Sequence, residues 1–450
     1  MQLLSRGPLL LVTMVRVAFE GYGCTLSYGE SRRTRTLADE AGWETTDDAS
    51  SASIVVIHTC TVIGRTERSM LRRIDTLAMS GRMVIVVGCL PRAQAEVVEA
   101  MKEELIIPVL GQDPEDVIKA LGKVDHSLID DPLFLPKVDP HTGSRPDPGR
   151  RTDAIVPIAS GCLGRCSYCI TRMAWGSLES SPVEKVVPAA REWLDLGFRE
   201  VQLTAQDTGA WGRDLPGEPT LPDLVRAVAS IEDAPSEYRI RVGMLNPDSL
   251  APILDDLVEV LRLPRVYRFV HLPIQAGSDR ILELMRRRYN VAEYLDLVAR
   301  LRKAVPDVTL HTDIICGFPG EEDEEFDATL AMLKEVRPDV TNVKGFSVRP
   351  RTEAATMDGA IDGAVMKRRT RRASKLVEQL FQTALSFHEG EEVEVMVTEI
   401  GKGGTQTMMA RDGRYNPVVV AEAEDIQVGQ FLSVHITEAK GVYLLGEVVE

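Results

Sequence analysis

Apolar and polar positions along the chain predict strands and helices in alternation from Val15 onward. Short runs rich in β-branched residues lie at 15–19, 53–58, 83–87 and 106–110, and stretches with helical periodicity separate them. Short apolar runs bounded by turn residues are typical of buried strands, and strands that alternate with helices favour a parallel sheet. The first third of the chain is therefore predicted to be an α/β domain with a doubly wound parallel sheet.

The alternation continues through the centre of the chain, where helical stretches separate six strand-like runs. These runs lie at residues 155–159, 200–204, 239–244, 266–272, 309–316 and 341–348. Repeated strand–helix units give a parallel sheet with right-handed crossovers, and six units are too few for a closed eight-stranded barrel. The centre is therefore predicted to be an open partial (β/α)6 barrel.

The pattern changes again from residue 391, where glycine turns separate short strands. Five such strands are predicted at 393–398, 406–411, 418–420, 431–436 and 442–448. They favour a small all-β barrel of a kind that binds RNA. The predicted organisation is an extension at 1–14 with Met14 as an alternative start, an α/β domain at 15–129, a Pro- and Gly-containing linker at 130–152, the partial barrel at 153–388 and the β-barrel at 389–450.

Composition and charge narrow the class of protein. The 450 residues are 44% hydrophobic and 27% charged, which is ordinary for a globular protein. The net charge of −16 does not indicate a nucleic-acid binder, although an acidic average can conceal a local basic face. No apolar run reaches the length of a membrane span, and the apolar segment 8–12 is too short for a signal peptide. The chain is therefore expected to be cytoplasmic, with no membrane partner.

Three of the seven cysteines lie together in one short loop, which indicates metal binding in a reducing compartment. Cys162, Cys166 and Cys169 follow the first strand of the central domain with the spacing C-x-x-x-C-x-x-C. No further ligand lies close by in sequence to complete the four that a structural zinc site takes. A [4Fe–4S] cluster fits better, because thiolates hold it and three of them leave one iron open. A zinc loop or chance spacing is the less favoured alternative.

Three other cysteines each follow a different strand of the N-terminal sheet. They are Cys24, Cys60 and Cys89. Ligands bind at the carboxyl edge of open α/β sheets, so the three thiols are expected to converge on one point. A buried structural cysteine is the alternative for each one alone. Three at equivalent strand ends favour a second iron–sulfur cluster, again with one iron left open.

The cysteine motifs of this chain resemble those of two known families. Tyr168, directly before the third cysteine of the loop, completes a signature that resembles the radical S-adenosylmethionine (SAM) superfamily. Two clusters, one of them in such a loop, resemble the methylthiotransferase family, and the strings that carry this resemblance are Gly23-Cys24-Thr25-Leu26, Thr59-Cys60-Thr61-Val62 and Gly88-Cys89-Leu90-Pro91. The second string, together with the later Arg65-Thr66-Glu67-Arg68, resembles the archaeal and eukaryotic branch, which acts on N6-threonylcarbamoyladenosine beside the tRNA anticodon.

The resemblance implies the cofactors and partners. They are two [4Fe–4S] clusters and SAM, the anticodon stem-loop of tRNA, and a flavodoxin or ferredoxin as electron donor. It implies a TRAM domain as the C-terminal barrel and no catalytic group beyond the cluster-bound SAM. Residues near the cysteine loop and the strand ends would seat SAM or the target base: Tyr168, Gln206, Asp207, Gln275, Gly317 and Gly320. For each polar one, a satisfied loop cap is the alternative.

Two positions depart from the family pattern, and three others have a structural interpretation. Ser27 stands where the family has Asn, and Trp175 stands where it has Arg, with Arg172 the nearest cation. Two strand histidines are interpreted as hydrogen-bonded core residues and the seventh cysteine as a small apolar filler; these are His271, His311 and Cys316.

Basic residues offer few candidates for RNA phosphates. The run 367–372 is either a solvated helix face or a phosphate contact, and 286–288 is a weaker candidate. In the acidic C-terminal barrel, RNA contact would depend on Arg411, Arg414 and Tyr415.

Three rival functions stay open. The first is a methylthiotransferase that acts on isopentenyl-adenosine or on a ribosomal-protein aspartate. The second is a radical SAM enzyme of another reaction type, in which the N-terminal cysteines serve electron transfer. The third is a non-catalytic, metal-stabilised RNA-binding protein.

Overall fold

The computed structural model describes residues 15–62, 64–101, 105–111, 113–124, 149–234, 237–401, 407–421 and 425–449. These residues form two compact units. The first takes 15–23, 30–60 and 65–124, and the second takes the short segments 24–29 and 61–64 and everything from residue 149. The predicted extension at 1–14 and residues 130–148 of the predicted linker lie outside the described residues.

The first unit is built on short strands that alternate with helices. Its described strands are β1 (Arg16–Gly21), β2 (Glu44–Thr46), β3 (Ile54–Thr59), β4 (Met83–Gly88) and β5 (Ile106–Pro108). The helices that follow them are α1 (Thr25–Glu40), α2 (Gly64–Met79), α3 (Cys89–Ala93), α4 (Ala95–Glu99) and α5 (Pro114–Leu121).

The described strands form one parallel sheet in the order β2-β1-β3-β4-β5. Successive strand side chains point to opposite faces, so neighbouring residues enter different cores. Val55 packs in one core with Ile74 of α2, and Val56 packs in the other with Leu121 of α5. Helices therefore cover both faces, which confirms the doubly wound fold. The strand order reverses at β1 and β3, which is where such sheets bind ligands.

The described residues after β4 do not form one continuous helix. Two short helices, α3 and α4, take its place, and Gln94 separates them with φ −144° and ψ 56°. The first of them begins at Cys89, directly after the strand, where the Leu90 amide donates to the Thr59 hydroxyl (3.1 Å). The pattern also gave no sign of the short edge strand β2 or of helix α5.

The second unit carries the partial barrel. Its strands are β6 (Asp153–Pro157), β9 (Glu200–Thr204), β10 (Arg239–Val242), β11 (Phe269–His271), β12 (Thr309–Cys316) and β13 (Val340–Gly345), and a two-stranded ribbon of β7 (Ala159–Ser160) and β8 (Glu179–Ser180) flanks the cysteine loop. Its helices are α6 (Thr171–Trp175), α7 (Val183–Asp195), α8 (Leu221–Ala229), α9 (Pro247–Leu250), α10 (Leu254–Leu261), α11 (Asp279–Leu284), α12 (Val291–Ala304), α13 (Asp323–Val336) and α14 (Gly363–Ser386).

Over residues 153–345 the strand order is β6-β9-β10-β11-β12-β13, with every pair parallel. Two isolated bridges, Ile240 with Val266 and Met244 with His271, join the halves between β10 and β11. The outer strands β6 and β13 do not pair, which confirms the open six-unit barrel. None of the described helices is both long enough and apolar enough to cross a bilayer.

The C-terminal residues form a closed barrel. Its described strands are β14 (Glu392–Ile400), β15 (Met408–Asp412), β16 (Pro417–Val420), β17 (Phe431–Lys440) and β18 (Tyr443–Val448), in the order β14-β15-β16-β18-β17. Apolar residues on alternate positions fill its interior, among them Val395, Val418 and Val434. The predicted small all-β barrel is confirmed.

Tyr415 lies between the two barrels, in the turn from β15 to β16. Its ring meets those of Tyr267 and Phe269 with centroids 4.8 and 5.0 Å apart. Its hydroxyl donates to Glu200 (3.1 Å), and the Arg241 guanidinium lies 5.1 Å from the ring centroid. Since Glu200 and Phe269 begin their strands, the tyrosine covers the amino-terminal end of the partial barrel, opposite the edge where such barrels carry their active sites.

The expectation that any RNA contact of this barrel depends on Arg411, Arg414 and Tyr415 stays a prediction, and all three side chains have partners within the protein. Arg411 stacks on the Tyr415 ring at 4.5 Å, and Arg414 pairs with Glu391 (2.5 Å) and Asp412 (3.2 Å). Each of these side chains therefore has a partner within the protein. The sequence could not show these partners, because the fold brings them together.

Replacing Tyr415 by Ala should loosen the C-terminal barrel from the partial barrel. A large aromatic side chain removed from a packed site costs about 3–5 kcal/mol. Tyr415→Phe loses only the hydrogen bond to Glu200 and should cost ~1 kcal/mol. Urea unfolding and amide hydrogen exchange in β15 and β16 would measure both changes.

Phe387→Ala is the matched control, because this ring is 77% exposed. Its replacement should change stability by no more than ~0.5 kcal/mol. Equal effects of the Tyr415 and Phe387 replacements would contradict the packing role given to Tyr415.

Candidate active site

The cysteine loop leaves the partial barrel after β6 and is held tightly against its neighbours. Gly161 has φ 71°, and a Cβ atom there would lie 1.9 Å from the Ser177 carbonyl oxygen, so only glycine fits. Arg172 donates from one guanidinium nitrogen to the carbonyls of Cys162 (2.7 Å) and Gly164 (3.0 Å). That nitrogen therefore braces the loop backbone.

Two of the three thiols of the loop lie beside Gly164. A Cβ atom at this glycine would lie 3.3 Å from the Cys162 sulfur and 3.8 Å from the Cys166 sulfur. The Cys169 amide donates to the Cys166 carbonyl (3.1 Å), which turns the chain back on itself. Charge on Cys166 adds to the effect of burial in raising the pKa of Cys169, so these two groups interact.

The donor set of this loop fits a four-iron cluster. Burial raises the pKa of the Cys162 thiol to about 11, and bound iron would supply the positive charge that a thiolate needs there. Among the described residues, no three His, Cys, Asp or Glu side chains are gathered closely enough to hold a single metal ion. A four-iron cluster spreads its ligands over separate irons, and three cysteines of one short loop, none of them in a disulfide, meet that requirement.

Arg287 connects the cysteine loop to the strand-end loops. Its guanidinium donates to the Cys166 sulfur (3.1 Å), to Asn246 Oδ1 (2.6 Å) and to the Tyr289 hydroxyl (2.8 Å). Asn246 in turn donates to Asp207 through its side-chain amide (2.8 Å). One continuous chain of hydrogen bonds therefore runs from a thiol of the loop to the end of β9.

The interpretation of 286–288 as a phosphate contact stays a prediction, and each of the three arginines has a partner within the protein. Arg287 faces the cysteine loop, while Arg286 pairs with Glu353 (2.7 Å) and Arg288 pairs with Asp248 (2.5 Å). The sequence gave no signal that singled out the middle arginine. The Tyr289 hydroxyl, which donates to the Ile274 carbonyl (2.9 Å), is a further contact that sequence reasoning missed.

Asp207 and Gln206 were predicted to hold SAM or the target base. Both lie near the strand ends, but their hydrogen bonds differ. Asp207 is buried and accepts from Asn246 and from the Ser249 hydroxyl (2.6 Å), so its carboxylate holds the neighbouring loop. Burial raises the pKa of this carboxyl. Gln206 is different, because its Oε1 is buried and accepts no hydrogen bond from the described residues. This oxygen lies at the edge of the barrel that carries the cysteine loop, and it could accept a hydrogen bond from a bound ligand.

Gln275 and Tyr168 also lie in the barrel-end region. Gln275 has φ 77°, a conformation that costs a residue other than glycine, while its backbone bonds to Asp313 and Ile315 (both 2.9 Å). The Tyr168 ring packs edge-on against Phe318 with centroids 6.4 Å apart. Strain of this kind collects at functional sites, because surrounding structure must hold it in place.

Gly317 and Gly320 occupy the loop after β12, and both have φ 78°. A Cβ atom on Gly317 would lie 2.8 Å from Met366 of α14. This glycine therefore permits close packing of helix α14 on the loop after β12. Its role in holding SAM stays a prediction.

His271 and the seventh cysteine have the structural roles expected of them. His271 bonds to Asp313 (3.0 Å), and His311 packs against the Phe269 ring with centroids 4.5 Å apart. Cys316 is 1% exposed in the barrel core. The two departures from the family pattern, Trp175 and Ser27, are both buried.

The strand ends that precede the other three cysteines are neighbours in the sheet of the first unit. Gly21 pairs with His58, and Thr59 pairs with Gly88. Cys60 and Cys89 follow directly, and each is 8% exposed. Cys24 follows β1 by three residues, immediately before α1, and is exposed. The adjacent strand ends support the predicted trio, and its convergence on one cluster stays a prediction.

Three family profiles match the chain. They are the Radical SAM superfamily at residues 156–333, the Uncharacterized protein family UPF0004 at 16–109 and the TRAM domain at 387–449. A protein of Archaeoglobus fulgidus named "Probable threonylcarbamoyladenosine tRNA methylthiotransferase" is 36% identical over 435 residues, which cover 96% of this chain and 98% of that protein. The chain belongs to the radical SAM methylthiotransferase family.

Other similar proteins fall in and beyond this family. A "tRNA-2-methylthio-N(6)-dimethylallyladenosine synthase" of Chloroflexus aurantiacus is 33% identical over 391 residues, covering 85% of this chain and 81% of that protein. The solved structure of the radical SAM methyltransferase TsrM from Kitasatospora setae, with cobalamin and a [4Fe–4S] cluster, has a TM-score of 0.54. It is 14% identical and covers 76% of this chain and 77% of that one, so it shares the fold alone.

As a radical SAM methylthiotransferase, the protein uses SAM and a [4Fe–4S] cluster. Arg287→Gln should make the midpoint potential of the cluster on the Cys162 loop more negative. The guanidinium charge and its hydrogen bond to the Cys166 sulfur favour the more negative, reduced cluster. A loss of ~1.4 kcal/mol corresponds to about 59 mV for one electron, which an EPR-monitored redox titration would detect.

Arg286→Gln is the matched control, because this neighbouring arginine is at the surface with Glu353. It should leave the midpoint potential unchanged. If Arg287 has only a structural role, Arg287→Gln should lower thermal stability and iron content and keep the wild-type midpoint potential. That result would refute the electrostatic role of Arg287.

Proposed function

We propose that this methylthiotransferase converts N6-threonylcarbamoyladenosine beside the tRNA anticodon to its 2-methylthio derivative. The observation that carries the proposal is the match over 96% of the chain to a relative named for that nucleoside, at 36% identity. The Thr-Cys-Thr-Val string at residues 59–62 and the two sets of cysteines agree with it. The proposed domain boundaries are 15–129, 153–388 and 389–450.

Six cysteines divide into two proposed sites. Cys162, Cys166 and Cys169 hold the cluster that binds SAM, and Cys24, Cys60 and Cys89 hold a second [4Fe–4S] cluster that supplies or relays sulfur. When bound, the first cluster would supply the electron for reductive cleavage of SAM, and the hydrogen at carbon 2 of the adenine would leave on the deoxyadenosyl product of that cleavage, so that sulfur could take its place. A second SAM provides the methyl group, and a flavodoxin or ferredoxin in the cytoplasm provides electrons.

The remaining site residues bind and orient. Gln206 presents an unused acceptor oxygen at the barrel edge, where a hydroxyl or amino group of SAM or of the target base would satisfy it. Asp207 holds Asn246 and Ser249 in place. Tyr168, Gln275, Gly317 and Gly320 complete the proposed seat for SAM, whose chemistry needs orientation and exclusion of water.

The dimethylallyladenosine branch is the second candidate. The relative from that branch matches 85% of this chain, less than the 96% matched by the threonylcarbamoyladenosine relative. The family match argues against a non-catalytic RNA-binding protein, and the ribosomal-protein aspartate has no observation in its favour.

Mass spectrometry of tRNA nucleosides from cells lacking this protein tests the proposal. The 2-methylthio group should disappear from threonylcarbamoyladenosine alone, and the unmodified threonylcarbamoyladenosine should accumulate. Loss of the group from isopentenyl-adenosine, or unchanged nucleosides, would overturn the proposal.

Complementation tests the two cysteine sets separately. Cys24→Ala and Cys166→Ala should each abolish the product, and anaerobic reconstitution should give about eight irons per wild-type chain and about four in each variant. Cys316→Ala, at a buried core position, is the matched control and should keep both product and iron. Full iron content in Cys24→Ala would remove that residue from the ligand set.

A further inference from the structure

Helix α14 divides its basic residues between two faces. On the inner face Arg369 is 4% exposed and pairs with Glu321 and Asp323 (both 2.7 Å). Arg372, at the border, pairs with Asp327 (2.8 Å). Arg369 is therefore committed to partners within the protein, and Arg372 is an exposed cation that already has a carboxylate partner.

The outer face carries four other cations. Lys367, Arg368, Arg371 and Lys375 are exposed, and none forms an ion pair within the described part of the chain. Three of them are four residues apart, so they line up along the helix over roughly 12 Å. We call these four residues the α14 basic face.

The α14 basic face begins at the active-site end of the partial barrel. Met366 packs where Cβ atoms of Gly317 and Gly345 would be, at 2.8 and 3.4 Å, and these glycines end β12 and β13. The cysteine loop follows the same end of β6. The segment that leads into α14 is tied to this loop, because the Ala354 amide donates to the Ser167 carbonyl (2.9 Å).

The charge of the surrounding protein makes this face distinctive. The chain carries a net charge of −16, and the other basic groups considered for RNA, Arg286, Arg288 and Arg414, are paired with carboxylates. A row of exposed, unpaired cations against such a background attracts an extended polyanion. A nucleic-acid strand, with one phosphate per nucleotide, matches a row of this length.

We propose that the α14 basic face binds backbone phosphates of the tRNA strand beside the target nucleotide. This inference rests on the proposed function and adds the surface that holds the substrate. Lysine and arginine bind phosphates through charge and counterion release, without reading the base sequence. The face therefore sets affinity and orientation, and the groups at the barrel edge select the nucleoside.

The test measures binding of the reconstituted enzyme to an anticodon stem-loop that carries N6-threonylcarbamoyladenosine, by fluorescence anisotropy at several salt concentrations. The triple variant Lys367→Gln, Arg371→Gln, Lys375→Gln keeps good helix formers on an exposed face. It should bind about tenfold more weakly, and the slope of log K against log salt should fall by about 2, at roughly 0.7 for each lost phosphate contact.

Two single variants form a matched pair. Arg371→Gln removes an unpaired cation, and Arg372→Gln removes the adjacent arginine that Asp327 already neutralises. Only the first should weaken binding and lower the salt slope. Equal effects of the two variants, or a triple variant with the wild-type slope, would overturn the proposal, as would failure of the wild-type enzyme to bind RNA.

Product analysis separates this inference from the proposed function. If the wild-type enzyme binds the stem-loop through this face and forms no 2-methylthio product, the surface stands and the assigned reaction fails. If wild type and the triple variant form product with the same apparent KM, the reaction stands and the surface fails. A raised KM with an unchanged kcat in the triple variant supports both.

Discussion

The partly buried guanidinium of Arg287 fixes the arrangement around the cysteine loop. A buried cation without partners costs several kcal/mol, so the positions of its partners are strongly constrained. Those partners come from different segments: Cys166 from the loop after β6, Asn246 from the loop after β10 and Tyr289 from the segment after α11. One side chain therefore joins the Cys166 thiol to polar groups after β10 and α11.

A buried ion pair of Arg369 and Glu321 fixes the position of helix α14. Arg369 meets Glu321, whose side chain is 1% exposed and also accepts from the Gly317 amide (2.8 Å). Removing either partner would leave a buried charge, which is strongly destabilising. The pair thereby holds the loop after β12 in its left-handed turn and fixes the rotation of the helix. Because Arg369 holds the inner face of α14 against Glu321 and Asp323, the exposed cations of this helix point outward.

Sequence patterns predicted the architecture well where the signal was local. The strands β9 and β12 have the predicted bounds, because each is recognised from residues close together in the chain. The Cys162 loop was recognisable for the same reason, since its ligands lie within eight residues. Patterns failed where the partner of a residue is distant in sequence. Arg287 and Cys166 are 121 residues apart, and Tyr415 and Glu200 are 215 apart.

A charged or aromatic residue in a short basic run has the same sequence signature whether it meets solvent, RNA or a distant carboxylate. The sequence therefore could not show that Arg286, Arg288 and Arg414 pair with Glu353, Asp248 and Glu391. The helix run at 367–372 divides in the same way, by the period of the helix. Only the acidic residues on α13 and the loop before it decide which cations stay free.

The acidic average of the chain and a confined basic face act together. Like charges repel RNA over most of the surface, and this repulsion disfavours the many non-specific encounters that a basic protein would allow. Attraction at one row of cations then favours approaches in which the strand lies beside the end of the barrel. An overall negative charge, which by itself argues against a nucleic-acid partner, therefore improves orientation when the few unpaired cations lie next to the site of reaction.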